Sequence, residues 1–582
     1  MTKPIIVWLR RDLRLADQPA FRAAASLGPV IPVYVLDDEG AKHRRMGAAS
    51  RWWLHHSLAS LAADLEQAGS RLILRRGKCE DVLAAVSAES GAREVHGLHH
   101  VEPWWRNAER AVGKVLDLTL HEGLYLAPPG SVLTGGGTPF KIYTPFWRAL
   151  QERMPPAPPL PAPRLTAPDT WPASERLEDW GLLPTKPDWA GGLRAEWTPG
   201  EGGASERLET FARRAAKYAE RRNLPSMHGT SRLSPHLHFG EVSPAQVWHG
   251  VADAGGSVDV FLGELGWRDY AANVIHQFPD YGARSYKEEY DRLEWRTGPE
   301  AEADLKAWQQ GRTGYPIVDA GMRELWTTGW MHNRVRMIVA SFLIKHLLID
   351  WRRGEEWFWD TLVDADYGQN AVNWQWSAGS GVDANMFVRI MAPLTQSPKF
   401  DAAGYIRQWV PELARLSGAI MRQAGMVAAI KGFTYYAATY SRSGTTVTVT
   451  LNNHGIVNGS TVFLTITSGS ATSGAYTVSG ATTNTFTYTE TESGSTSGNL
   501  KLDTRSYNTT GSEVIVVDDV TFKMFLPGFE QAEYAATGGM LELAGQTYAR
   551  TYTYTWYTPW GEESVGADPS DDLVLKDGQI VT

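Results

Sequence analysis

The chain has 582 residues, 43% hydrophobic and 21% charged, with a formal net charge of −9 and a single cysteine, Cys79. That length exceeds one hydrophobic core and calls for about two to four domains, and one cysteine excludes a disulfide framework, fits a reducing compartment and reads as a small core residue. No charged-then-apolar leader and no long apolar run is present, so a cytoplasmic protein without a membrane span is expected.

Residues 1–130 alternate strand and helix signals. Short branched apolar runs at 4–9, 30–36, 71–74 and 94–98 predict buried strands. Leu54, Leu58, Leu61 and Leu65 recur at helical spacing behind Ser50, a candidate N-cap. The alternation predicts an α/β N-terminal domain with a doubly wound parallel sheet. No Gly-x-Gly-x-x-Gly and no Gly-Lys-Ser/Thr motif follows the first strand, so nucleotide binding in the usual crevice has no motif behind it.

Residues 131–205 are rich in Pro and Gly and predict a connector running over the surface. From 206 to 416 the spacing turns helical, and 335–348 is apolar on nearly every side, which predicts a helix at the centre of an all-α bundle. Residues 417–582 change character. Ser, Thr, Gly and Tyr dominate, and period-two alternation at 445–451, 460–467 and 485–489 predicts strands joined by Gly-Ser and Asn-Gly turns, an all-β extension. Asn458 and Asn508 head glycosylation-type triplets, to which nothing is assigned without a secretion signal.

Charge and tryptophan divide at the same place. From Ser417 onward lie 8 of the 56 Lys and Arg and 15 of the 65 Asp and Glu, a net of −7, which leaves −2 for everything before it. Of the 24 Trp only Trp556 and Trp560 follow Ser417. A near-neutral front part would need a local basic rim to hold nucleic acid.

The chemistry-bearing residues concentrate in the helical part. Thr230-Ser-Arg-Leu-Ser234 gathers hydroxyls and backbone N–H groups at a helix start, which suits a pyrophosphate and equally an ordinary cap. Gly314-Tyr-Pro-Ile-Val-Asp319, Trp330-Met-His-Asn-Arg334, Asp364, Asp366, Asn370 and Trp374-Gln-Trp376 mix carboxylates, amides and indoles that are costly to bury without polar partners. A large polar, aromatic ligand accounts for them. No metal is expected at Asp364 and Asp366, because no His or further carboxylate stands at ligand spacing. Taken alone, each Trp reads as a core residue and each Arg as solvated charge.

These blocks, with Trp8-Leu-Arg-Arg-Asp-Leu-Arg14 and Asp17 at the front, resemble the DNA photolyase/cryptochrome family over roughly residues 3–416, closest to its class I members for cyclobutane pyrimidine dimers. The resemblance implies an FAD-binding helical domain over 206–416. Its cofactor residues would be Tyr218, Thr230, Ser231, Arg232, Leu233, Ser234, Phe261, Glu264, Arg268, Asn333, Arg336, Asp364, Asp366 and Asn370. It pairs Asp364 with Arg336 near the isoalloxazine, brings Asp366 to the flavin ring and sets Asn370 opposite its N5. It makes Trp295, Trp351 and Trp374 an electron relay.

On the substrate side the same resemblance places a flipped-out dimer between Trp267 and Trp376, with Glu264 bonded to its carbonyl edges. Asn333 and Met337 line that pocket where enzymes for six-four photoproducts carry His. Arg222, Arg268, Arg334, Arg389 and Lys399 form the phosphate rim. An antenna chromophore, methenyltetrahydrofolate or a deazaflavin, would contact 99–105 and 107–109. Residues 417–582 resemble β-modules of phage virion proteins, and 552–578 the opening of a fibronectin-like sandwich.

The implied function is light-driven repair of cyclobutane pyrimidine dimers by a monomeric lyase whose partner is damaged DNA. Two rivals are a cryptochrome-like blue-light photoreceptor without repair, and a virion-structural or adhesion protein working through the β extension. Every named pocket residue precedes Ser417, and the net −7 of the extension opposes DNA. Residues 1–416 are therefore expected to retain FAD and damaged DNA as well as the whole chain. Flavin content of chains ending at 416 and at about 440 is the check; loss at 416 alone would make 418–440 a structural cap.

Overall fold

The computed structural model describes residues 3–40, 44–384, 390–413, 436–452, 454 and 456–503, and the backbone of three further strands, Val514–Val517, Met540–Leu543 and Ile580–Val581. Arg389, the join at Ser417, the segment 421–430, Asn508 and 552–578 lie outside the described residues. The chain divides into two units: Met1–Gln310 with Gly321–Ala392, and Gly311–Ala320 with Pro393–Thr582.

The first unit opens on a five-stranded parallel sheet of order β3-β2-β1-β4-β5, from β1 (Ile5–Leu9), β2 (Val30–Leu36), β3 (Ile73–Arg76), β4 (Glu94–Leu98) and β5 (Asp117–His121). Helices α1 (Pro19–Leu27), α2 (Ala48–Gln67), α3 (Cys79–Ser90) and α4 (Pro103–Val112) alternate with the strands. β1 and β2 are buried along their whole length, which is why they read as unbroken apolar runs. Successive side chains of β1 feed two cores. Ile5, Val7 and Leu9 pack with Trp52, Trp53 and Leu58 of α2, while Ile6 and Trp8 pack with Cys79, Leu83 and Val86 of α3. Strand β5 escapes a sequence reading because it is a largely exposed edge without an apolar run.

Ser50 is not the N-cap of α2. Gly47 holds that position, and Ser50, already inside the helix, donates its hydroxyl to the Leu362 carbonyl at 3.1 Å. The core beside α2 also takes in Phe239, Trp330 and Val363, so sheet and helical part share one hydrophobic interior.

The segment 131–205 carries a helix, α5 (Tyr143–Gln151), whose Phe146 and Leu150 are buried. The helical part then runs through α6 (Val258–Gln277), α7 (Asn333–Lys345), α8 (Trp351–Thr361) and α9 (Tyr367–Ala378). Helix α7 begins two residues before the predicted 335–348 run and ends at Lys345, and Leu348 beyond it is left-handed at φ 53. Asp350 and Asp366 start α8 and α9 by accepting from the N–H groups of Arg352 and Gln369.

In the second unit an antiparallel sheet of order β6-β9-β7-β8 comprises β6 (Tyr436–Thr450), β7 (Thr461–Ile466), β8 (Gly474–Thr477) and β9 (Thr485–Asp503). The sequence reading ends β9 at 489, because Ser and Gly at 493–498 look like a turn; in the fold they stay paired with β6 across a register shift between Gly444 and Thr446. Val447, Val449, Val462, Leu464, Phe486, Tyr488, Leu500 and Leu502 form its core. Arg442 and Glu490 are buried there as an ion pair at 2.5 Å, and Glu490 also accepts from the Thr472 N–H at 2.7 Å. Removing one partner strands a buried charge. Arg442→Met is expected to destabilise this sheet by about 3–5 kcal/mol, and Arg442→Met with Glu490→Leu by much less. Urea titration followed by proteolytic susceptibility of the β segment in the full chain reads this out.

Candidate active site

Three residues around the start of α9 carry the polar chemistry. Asp364, in the turn before the helix, accepts from the Ser234 hydroxyl at 2.6 Å and from Arg336 Nη2 at 2.9 Å. Its other oxygen, Oδ1, is buried with no hydrogen-bond partner among the described residues. Asp366 uses Oδ1 to cap α9 through Gln369 and Oδ2 to receive Arg11 Nη1 at 2.9 Å, with His238 Nδ1 at 3.8 Å. Burial alone would raise this carboxyl. His238, Arg11 and Arg268 outweigh it and hold Asp366 well below the usual carboxylate range.

Asn370 follows one turn later. Its amide nitrogen donates to the Glu355 backbone carbonyl at 3.0 Å and to Glu355 Oε1 at 2.9 Å. Both amide protons are thereby used, and the carbonyl Oδ1 is the end left to face a ligand. Glu355 is itself gripped by Arg44 Nη1 at 2.6 and 2.7 Å, and Arg44 lies over the Trp359 and Tyr367 rings. The expected pair of Asp364 and Arg336 is thus present, Asp366 is turned to Arg11 and the helix, and Asn370 is oriented by two residues that the sequence did not single out.

An arginine cluster lies beside this group. Arg232 sits at φ 54, a left-handed conformation that is uncommon outside glycine and is found at ligand clamps. It pairs with Glu196 and Glu324 and stacks on Trp330 at 4.5 Å. Arg214 donates to the Thr230 carbonyl at 3.2 Å, and its Nε is buried without a partner. Leu233 is buried and Ser231 partly so. Burial, with Arg232, Arg334, Arg336 and Arg222 around it, pushes His332 down to about 3, so this histidine is neutral at physiological pH. Tyr218 and Phe261 meet edge to face at 5.2 Å and form an aromatic wall.

Helix α6 brings Glu264, Trp267 and Arg268 to neighbouring turns. Glu264 pairs with Arg222, which lies over Tyr218. Burial pushes the Glu264 carboxyl up, against the pull of Arg222 and Arg334. Trp267 is 36% exposed, unusual for an indole in so apolar a helix, and Trp376 is half-buried. Asn333 is exposed at the start of α7, and Met337 lies one turn on, 3.3 Å from Arg334 Nη1. Arg334 also donates to Asn223 at 2.6 Å. Arg268 does not join an outward rim: it turns inward to the Leu124 and Leu237 carbonyls and lies over Tyr125. Lys399 is exposed in the second unit, over Phe400.

Trp351 and Trp374 are buried and Trp295 is partly exposed. Trp374 touches Phe358 at 5.1 Å and Trp308 at 6.3 Å. Among the described residues no ring contact joins Trp351 to Trp374 or Trp295. Gly354 lets α8 approach, since a Cβ there would overlap the Trp374 ring.

The family model for DNA photolyase matches residues 5–164, and that for the FAD binding domain of DNA photolyase matches 261–440. The second match runs past residue 416. A deoxyribodipyrimidine photo-lyase of Agrobacterium fabrum is 49% identical over 71% of this chain and 88% of its own length. The chain belongs to the DNA photolyase/cryptochrome family. Cryptochrome-2 of Arabidopsis thaliana is 38% identical over 72% of each chain. A solved bacterial class III photolyase from Agrobacterium tumefaciens superposes with a TM-score of 0.69 and 46% identity, covering 73% of this chain and 89% of that one.

The residues fit the family's cofactor. An arginine cluster with hydroxyls suits a pyrophosphate. The unpartnered Asp364 Oδ1, Arg214 Nε and His332 Nε2 are buried polar atoms that a polar ligand would satisfy. Glu355→Leu leaves the Asn370 amide only the backbone carbonyl at 355 and removes the ion-pair partner of Arg44. It is expected to shift the reduction potential of bound FAD and to weaken its retention. Glu355→Gln, which keeps an acceptor for Asn370, should shift the potential less. Anaerobic reductive titration followed by flavin absorbance checks both.

Proposed function

We propose that this photolyase-family chain repairs cyclobutane pyrimidine dimers in DNA under light, with FAD as its cofactor. The observation carrying the reading is the α6 surface. A carboxyl raised by burial, Glu264, stands one turn from an exposed indole, Trp267, with Arg222 and Arg334 beside them. Bound FAD supplies photoexcited electron donation to the dimer, with the electron returned once the ring opens. The chain's own part is to seat the dimer and hold charge near it. Trp267 and Trp376 offer aromatic faces to unstacked bases, worth roughly 1–3 kcal/mol per base. Glu264, its carboxyl pushed up by burial, is the group set to meet the base carbonyls, and Asn370 would present its oxygen to a bound flavin. Neutral His332 is no proton donor, and Asn333 and Met337 occupy the positions beside it, which favours the cyclobutane dimer over the six-four product.

Phosphates flanking the dimer are held by Arg222 and Arg334. Trp295, Trp351 and Trp374 would relay electrons to bound flavin, and Phe358 and Trp308 adjoin Trp374. An antenna chromophore, when bound, would be held by the α/β part. The sequence resembles class I enzymes, while the solved structure sharing 46% identity is of class III. No described helix is long and apolar enough to cross a membrane, and the reading takes the protein as a cytoplasmic monomer.

The 38% identity to a cryptochrome keeps a photoreceptor as the second reading. Illumination of the reduced, FAD-loaded protein with a dimer-containing oligonucleotide separates them. Repair predicts loss of dimer only in light and preferential binding of damaged DNA; equal affinity for damaged and undamaged DNA without repair supports the photoreceptor. Dimer affinity should fall as pH rises through the raised Glu264 ionisation, and Glu264→Gln should flatten that dependence.

A further inference from the structure

Trp267 is exposed on one side only. Its other face lies against Tyr143, the first residue of α5, with ring centroids 3.5 Å apart and planes 8° from parallel. Tyr270 meets both rings edge-on at 5.8 Å. The 36% exposure left to Trp267 therefore belongs to the face and edge turned away from Tyr143.

Tyr143 is held from two directions. Its hydroxyl donates to the Gly263 carbonyl at 2.7 Å, one turn of α6 before Trp267. Its backbone N–H donates to Asp383 Oδ2 at 3.0 Å, and Asp383 follows the helix that carries Trp376. A carboxylate at that position also meets the positive end of α5. One turn on, Trp147 lies against Gly266, where any Cβ would overlap its ring. Helix α5 thus clasps α6 at Gly263, Gly266 and Trp267, and is tied to the segment after Trp376.

We propose that Tyr143 is a positioning residue for the dimer: by stacking on the back of Trp267 it fixes the indole plane that receives the unstacked bases. The inference rests on the repair function proposed above. An unbacked indole on a helix surface has free χ rotation, and ordering it on binding costs affinity. A backed indole has lost that freedom already. A face-to-face ring contact of this kind stays when the hydroxyl is removed, so ring and hydroxyl separate cleanly in variants.

The test measures dark binding of the FAD-loaded full chain to an oligonucleotide with one thymine cyclobutane dimer and to its undamaged twin. Tyr143→Leu is expected to weaken dimer binding about three- to tenfold, the range of one aromatic pair, with flavin content and undamaged-DNA binding within about twofold of wild type. Tyr143→Phe should stay within about twofold for both DNAs. Trp267→Ala should abolish the preference for damage. If Trp267→Ala loses the preference and Tyr143→Leu does not, the positioning role is overturned and the repair function stands. If Trp267→Ala keeps the preference, the repair site itself is misassigned and the inference falls with it. If Tyr143→Leu sheds FAD or weakens both DNAs equally while Tyr143→Phe is normal, the ring serves only to pack α5 on α6, and the proposal is overturned.

Discussion

The carboxylate of Asp366 is the point on which the first unit is organised. One oxygen starts α9 and the other receives Arg11, from the turn after β1. Arg11 is also paired to Glu102, at the start of α4. A single ionised group thus ties the parallel sheet to the helix that carries Asn370, Trp374 and Trp376. It persists as a charge because His238, Arg11 and Arg268 overcome the cost of burial. Without that balance α9 would lose its cap and its anchor together.

The same economy recurs around the site. Arg10 with Glu109, Arg44 with Glu355 and Arg336 with Asp364 are charges taken out of water in matched pairs. Such pairs add little net stability compared with an apolar core, but each defines an orientation. The unmatched atoms are informative for the opposite reason. Asp364 Oδ1, Arg214 Nε and His332 Nε2 are buried without a hydrogen-bond partner among the described residues, a costly state that a polar ligand would relieve.

The β sheet of the second unit follows different physics. It has its own apolar core and a buried Arg442–Glu490 pair, drawn from strands whose outer faces are Ser and Thr. Tryptophan, abundant in the flavin-binding part, is absent from these four strands.

The sequence by itself determined the kinds of element and the family. Apolar runs buried on both faces of the sheet announce β1 and β2, and the paired blocks at 314–334 and 364–376 announce the flavin domain, because those patterns are local. The family resemblance also implied the pairing of Asp364 with Arg336, and the two are hydrogen-bonded at 2.9 Å. Only the tertiary structure decided that Asn370 is turned by Glu355, that Arg268 faces inward, and that Tyr143 covers one face of Trp267. Those contacts join residues from 15 to over a hundred positions apart, and a hydrogen bond or a stacked ring leaves no period in the chain. Local periodicity reports which face of an element is buried; it does not report which partner waits on the other side.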